Sequence, residues 1–196
     1  MEINANVSVG EIVRVNFKTA QVFDKNKIDF CCGGGISLSE ACKKSKVDIN
    51  KLIPEIEALM HTSDPDSKYM DSLSLESLSD YIVKRHHSYV RENIPFIKQN
   101  MQKLCEVHGD HHPELFEVRK LFGEMAENLS MHMEKEESVL FPYILKLVKF
   151  KNEGIGNANE FGPKHNPIDE LDEEHKAEGE RLVIIDRLNN SYTCPP

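Results

Sequence analysis

Apolar residues recur along most of this chain at alternating gaps of three and four, and almost nowhere at gaps of two. That spacing predicts helices and argues against strands. The longest stripe, Val83, His87, Val90, Ile94, Ile97, Met101 and Leu104, predicts an amphipathic helix over about 74–107, with Pro95 kinking it or sitting where a kink is tolerated. A second begins after Pro113 and carries Val118, Leu121 or Phe122, Met125, Leu129, His132, Glu136, Val139 or Leu140, Tyr143 and Leu147. A third, shorter one starts near Pro167, with Ile168, Leu171, His175, Leu182 and Ile185 on one face. The first sixty residues hold shorter pieces. Ser8-Val9-Gly10-Glu11 reads as a capping box, Ser37-Leu38-Ser39-Glu40 as a weaker helix start, and Asp48 or Asn50 as a cap for a helix through Leu52, Ile53, Ile56 and Leu59. Between them, Ile28 to Gly35 contains three consecutive glycines and cannot be helical throughout. The polar run 61–67, with Pro65 at its centre, reads as a linker, and Gly154 to Pro163 as a loop. The fold class expected is all-α: a small helical domain over 1–60, a linker over 61–73, and a helical bundle over 74–196.

Charge and composition narrow the function. The 196 residues carry a net charge of −9 and no dense Lys/Arg block, which disfavours a nucleic-acid partner. No run approaches the length of a membrane span, and the first residues have neither a basic nor an apolar leader segment. Five cysteines, an odd number with two adjacent, fit free or metal-bound thiols in a reducing cytoplasm.

The chemistry lies where polar residues interrupt the apolar stripes. His87, His132, Glu136 and His175 each stand at a position that periodicity assigns to the core. His132 and Glu136 are four apart and share a face. Burying a carboxylate without partners is costly, and a cation shared with imidazoles removes much of that cost. Neutral imidazole and carboxylate together suit iron, manganese or zinc, and facing helices of a bundle are able to supply them. Of the adjacent histidines, His87 lies on the stripe and His86 on its edge, either beside the site or at the surface.

The richer cluster His108, His111 and His112 contains Gly109 and runs into Pro113, a helix-ending turn where imidazoles are solvated; a zinc site there would need fixed geometry, so it reads as surface, as do His61 and His165. Cys31-Cys32 precedes the glycines, whose backbone N–H groups are able to lower a thiol pKa. The pair is either reactive and metal-handling or a small apolar pair beside a tight turn. Cys42, Cys105 and Cys194 have no matching partners by spacing and read as structural or incidental.

Val9-Gly10-Glu11-Ile12-Val13, Val22-Phe23-Asp24 and Ile28-Asp29-Phe30-Cys31-Cys32-Gly33-Gly34 resemble the short N-terminal domain of the iron–sulfur cluster repair di-iron proteins. His86-His87, the run Val107 to Leu115, His132 through Pro142, and Asp172-Glu173-Glu174-His175 resemble their hemerythrin-like domain. The resemblance implies a non-haem di-iron centre in an up-down bundle, with His87, His132 and His175 as imidazole ligands and Glu136 bridging two irons. Glu134, Glu137, Asp172 and His86 become candidates for the layer behind the ligands. Cys31 and Cys32 would lie near the opening to the centre and take part in iron, thiol or NO transfer. The implied role is repair of iron–sulfur clusters after nitrosative or oxidative stress, by iron donation. A sensor of O2, NO or iron and a di-iron NO reductase are the rival readings. Clients would be iron–sulfur proteins, ligands NO or O2, and the assembly a homodimer. The family's bundle has a fourth helix with a further His and Glu; only three of the four are expected in this chain, which reads as C-terminally truncated.

Overall fold

Helix starts in the N-terminal part are set by short side chains that occupy free backbone N–H groups. In the computed structural model, which describes residues 1–31, 33–156 and 167–190, Ser8 Oγ accepts from the Glu11 amide at the head of α1 (Val9–Val15). After a 3₁₀ turn, Phe17–Thr19, follow α2 (Ala20–Lys25), α3 (Leu38–Ser45) and α4 (Ile49–Met60). The complete capping box belongs to α3: Ser37 Oγ accepts from the Glu40 amide, and the Glu40 carboxylate accepts from the Ser37 amide. Asp48, not Asn50, caps α4. Among the described residues the only β pairing is an isolated bridge between Ser8 and Ser37.

This part belongs to the first of two compact units, 1–73. Val9, Ile12, Phe23, Leu38, Leu52 and Ile56 are fully enclosed and make its centre. The non-helical glycine segment lies against the start of α1. Gly10 donates its amide to the Gly34 carbonyl at 2.7 Å. A Cβ on Gly34 would meet the Phe30 carbonyl oxygen at 2.4 Å, so only glycine allows this approach.

The expected linker is not one. Pro65–Ser72 forms α5, packs on α1 and belongs to the first unit. Polarity misled the reading because the polar groups here are buried and bonded. The Asp64 carboxylate accepts from the Phe17 amide (2.8 Å) and the Ser67 hydroxyl (2.7 Å). Asn16 donates to the carbonyls of Leu59 (2.9 Å) and Thr62 (3.2 Å). Pro65, taken as a breaker, occupies the first turn of the helix, where its missing N–H costs nothing.

The described residues of the second unit, 74–196, form three long helical rods. The first, 75–108, comprises α6 (Leu75–Tyr81), a π turn (Ile82–His87) and α7 (Ser88–His108). The second, 114–153, comprises α8 (Glu114–Lys135), a π turn (Glu136–Leu140) and α9 (Phe141–Glu153), stopped by Gly154 in the left-handed conformation. The third is α10 (Ile168–Leu188). Packing of α7 on α8 and α6 on α9 makes the first two rods antiparallel, and α10 lies along α8. No comparable packing among the described residues joins α10 to the first rod. Ile168 and Leu182, expected in the core, are therefore exposed, whereas Leu171 and Ile185 are buried against α8. Most of the loop expected over 154–163, together with His165 and Cys194, lies outside the described residues.

Hydrogen bonds from the Ser67 hydroxyl and then the Phe17 amide hold the Asp64 carboxyl below the ordinary Asp value of 3.8. A depressed folded pKa stabilises the fold above the unfolded value and ceases to do so as pH falls through the folded one. Asp64→Asn should therefore lower the stability of the full chain at neutral pH, with the gap to wild type closing in acid below the ordinary Asp value. Urea titrations followed by circular dichroism at the two pH values test this; a gap independent of pH would exclude the carboxylate charge as its source.

Candidate metal centre

The two π turns stand at the same level of the bundle, and each carries part of one cluster. His87 closes the turn in the first rod, and Glu136 opens the turn in the second. His132 lies one α-turn before Glu136, and α10 contributes His175. His87 and His132 are only 4% and 6% exposed, so their ring nitrogens must find partners within the protein. The Nε2 atoms of His132 and His175 are 2.8 Å apart. Glu136 points one oxygen to each buried ring: Oε2 lies 3.0 Å from His87 Nε2, and Oε1 lies 3.5 Å from His132 Nε2. His132, His175 and Glu136 thus meet in one place, and the second Glu136 oxygen carries the contact on to His87.

Each buried ring has its other nitrogen occupied. His87 Nδ1 is 2.7 Å from Glu137 Oε1, which also accepts from Arg91 at 2.7 Å. His132 Nδ1 is 2.7 Å from Glu174 Oε2, and Lys135 reaches both Glu174 and Glu170. The hydrogen bond from His87, with Arg91 beside it, holds the Glu137 carboxyl below its usual range. Lys135 first, then His132, does the same for Glu174. A carboxylate on Nδ1 keeps the proton there and leaves the Nε2 lone pair turned to the centre.

His132, Glu136 and His175 offer ligand atoms that all lie within 4.8 Å of one another, close enough to share an ion. Imidazole nitrogen with carboxylate oxygen is a donor set for a first-row transition metal. Beside it, a cavity of about 290 Å³ opens between α8 and α10, reached by His132, Glu174 and His175 and walled by Leu129, Met131 and Ala177. His175 itself is exposed, unlike its expected core position.

The four residues that the periodicity singled out are thus neighbours, but the layer behind them differs from expectation. Glu137 is in it. His86 is exposed, edge-on to Tyr81 at 5.6 Å, and Asp172 is exposed and paired with Lys176 at 2.8 Å. His86 is turned about 100° from His87 and lies at the surface, and Asp172, one turn before His175, is drawn outward to Lys176. Glu134 is exposed as well. Glu174, adjoining His175, was missed, as were Arg91 and Lys135. A signal existed: Arg91 follows His87 by four and Lys135 follows His132 by three, the spacing at which a base covers the same helical face. In the first unit, Cys31 is exposed, and its amide donates to Asp29 Oδ1 at 2.9 Å. Cys32 lies outside the described residues. Cys42 is buried, and burial pushes its thiol pKa up.

Comparison with known proteins fits this geometry. Residues 78–196 match the hemerythrin HHE cation binding domain, and residues 5–60 match a domain of unknown function, DUF542. The iron–sulfur cluster repair protein ScdA of Staphylococcus haemolyticus is 33% identical over 95% of this chain and 80% of its own length. The chain belongs to this repair-protein family. The iron–sulfur cluster repair protein YtfE of Escherichia coli O8 is 30% identical over 96% of the chain and 79% of its own. The ScdA of Staphylococcus epidermidis is 28% identical over the same share as the first. The matched cation-binding domain runs from within α6 through α10 and includes every residue of the cluster. No helix among the described residues is long and apolar enough to cross a membrane.

His132→Ala removes the one imidazole that touches both Glu136 and His175. Iron bound per chain after anaerobic purification should fall well below the wild-type value, whereas His108→Ala, in the exposed turn, should leave it unchanged. Equal iron in the wild type and His132→Ala would dissociate the cluster from metal binding.

Proposed function

We propose that His87, His132, Glu136 and His175 hold a non-haem di-iron centre, and that the protein repairs iron–sulfur clusters damaged by nitrosative or oxidative stress by donating iron. The observation that carries this reading is the orientation of Glu136, whose two oxygens address two different imidazoles. A carboxylate serving one ion would direct both oxygens, or one, to a single group of donors. Here one oxygen faces His132, which adjoins His175, and the other faces His87, as a carboxylate shared between two positions would. Such an iron pair supplies valence change and open positions for a small ligand.

The chain's own residues do the rest. His132, His175 and one oxygen of Glu136 form the fuller set of donors, while His87 and the second oxygen form the sparser one. Iron is then the cargo as well as the centre. Imidazoles and a carboxylate that changes its binding mode release it more readily than an all-thiolate cage. Lys135 and Arg91 hold the surrounding carboxylates in place while iron passes. The cavity beside His132 and His175 gives a small molecule such as NO or O2 a way to the donors. The printed names of the relatives, iron–sulfur cluster repair proteins, agree with such a role. Cys31 and Cys32 serve in this reading as the thiols of iron or NO transfer. Homodimeric assembly and a cytoplasmic setting belong to the same proposal, the latter in keeping with free thiols.

The test is transfer of isotopically labelled iron. The chain is loaded with it anaerobically and mixed with an iron–sulfur protein whose cluster nitric oxide has broken. Donation predicts that labelled iron enters the client as its cluster absorbance returns. It also predicts that Glu136→Ala prevents both by failing to hold iron. The Cys31→Ala, Cys32→Ala double variant should bind iron but transfer it more slowly. Sustained NO consumption with an electron donor and no iron loss would instead make the protein a reductase.

A further inference from the structure

Each buried imidazole of the cluster is gripped at both nitrogens by two consecutive residues of the next helix. Glu136 and Glu137 of the second rod take Nε2 and Nδ1 of His87, at 3.0 and 2.7 Å. His175 and Glu174 of α10 take Nε2 and Nδ1 of His132, at 2.8 and 2.7 Å. In both cases the residue on Nδ1 is a glutamate, and a base on the imidazole's own helix holds that glutamate: Arg91, four after His87, and Lys135, three after His132. The arrangement occurs twice, on different helices and with different bases.

We propose that Glu137 with Arg91, and Glu174 with Lys135, are positioning pairs that set how firmly the centre holds metal. This inference rests on the metal-binding role of His87 and His132 advanced above. A ring free to turn about its side-chain torsions presents Nε2 to the centre only part of the time. It also exchanges its proton between the two nitrogens. A carboxylate on Nδ1 fixes both the ring plane and the tautomer. The base then keeps the carboxylate from turning inward to bind the ion itself. Helix stapling does not account for the pattern: half-exposed ion pairs contribute little to stability, and neither glutamate needs an imidazole nitrogen in order to join two helices. Arg91 offers a planar fork, whereas Lys135 is a point charge shared with Glu170.

The full chain loaded with cobalt(II) alone tests the proposal, because protons on cobalt-bound imidazoles give shifted, solvent-exchangeable NMR resonances. Glu137→Ala should weaken cobalt affinity about 10–100-fold and speed solvent exchange of one ring proton, with little change in the thermal midpoint of the metal-free chain. Glu137→Gln, which keeps an acceptor on Nδ1, should recover most of the affinity. Arg91→Ala should act in the same direction as Glu137→Ala but more weakly, and Arg91→Lys should restore it. Wild-type affinity and exchange in Glu137→Ala, with only the midpoint lowered, would reduce the pair to a helix staple and overturn the proposal. His87→Ala separates the two levels. If it weakens cobalt binding while Glu137→Ala does not, the positioning role alone falls; if neither weakens it, the metal-binding role of His87 falls as well.

Discussion

Taking an imidazole out of water obliges the protein to give both of its nitrogens something to do. That obligation organises the second unit. With His87 and His132 nearly closed off from solvent, four ring nitrogens must be met by polar atoms from neighbouring helices. Glu136, Glu137, Glu174 and His175 meet them, and no buried side-chain nitrogen or oxygen among the described residues lacks a partner. The carboxylates are themselves costly to bury, so Arg91 and Lys135 extend the network outward until it reaches water. The register between the rods follows from these pairings as much as from apolar packing. Along α8 and α10, Lys135 with Glu170, His132 with Glu174, Asn128 with Glu178 and Glu124 with Arg181 form a ladder that fixes one antiparallel alignment.

The two units solve the problem of cohesion differently. The first encloses a dense apolar centre around Phe23, Ile12 and Leu38 and uses buried polar groups, Asn16 and Asp64, to tie its last helix down. Among its described residues the second has few buried apolar ones, Val118, Ala126, Met133 and Phe141 among them, and leaves Phe96, Leu104 and Leu182 exposed. Its cohesion therefore depends more on the polar ladder and on the histidine cluster. A shared cation would add to that cohesion directly, since whatever binds only the folded chain stabilises it.

Much of this was legible in the sequence, and the exceptions have physical causes. Helix periodicity located all three rods because each has one apolar face, and it exposed His87, His132, Glu136 and His175 because polar residues on that face are conspicuous. Family resemblance then supplied the iron, which spacing alone left open among several metals. The segment 65–72 was missed because composition cannot distinguish polar groups that are solvated from polar groups that are bonded inside. His86 and Asp172 were misplaced because proximity in sequence was taken for proximity in space. Glu174 escaped because a carboxylate beside a ligand looks like any other surface charge until the neighbouring helix is known. The π turns were not foreseen: a local widening hardly disturbs the spacing of the apolar stripe.

Those turns have a genetic consequence. A π turn closes its backbone ring with one residue more than an α turn. In an ordinary helix consecutive residues diverge by about 100°, although on α10 Glu174 and His175 still take the two nitrogens of one ring, His132. Over 136–140 the residues of this wider ring, Glu136 and Glu137, take the two nitrogens of His87. The rotation of α9 relative to α8 therefore depends on a single residue, and so on a single codon. Insertions and deletions are normally tolerated in loops and excluded from helices, yet here the count of residues within the helix is itself part of the site. In this stretch a reading-frame-preserving length change would turn α9 against α8 as well as remove a side chain.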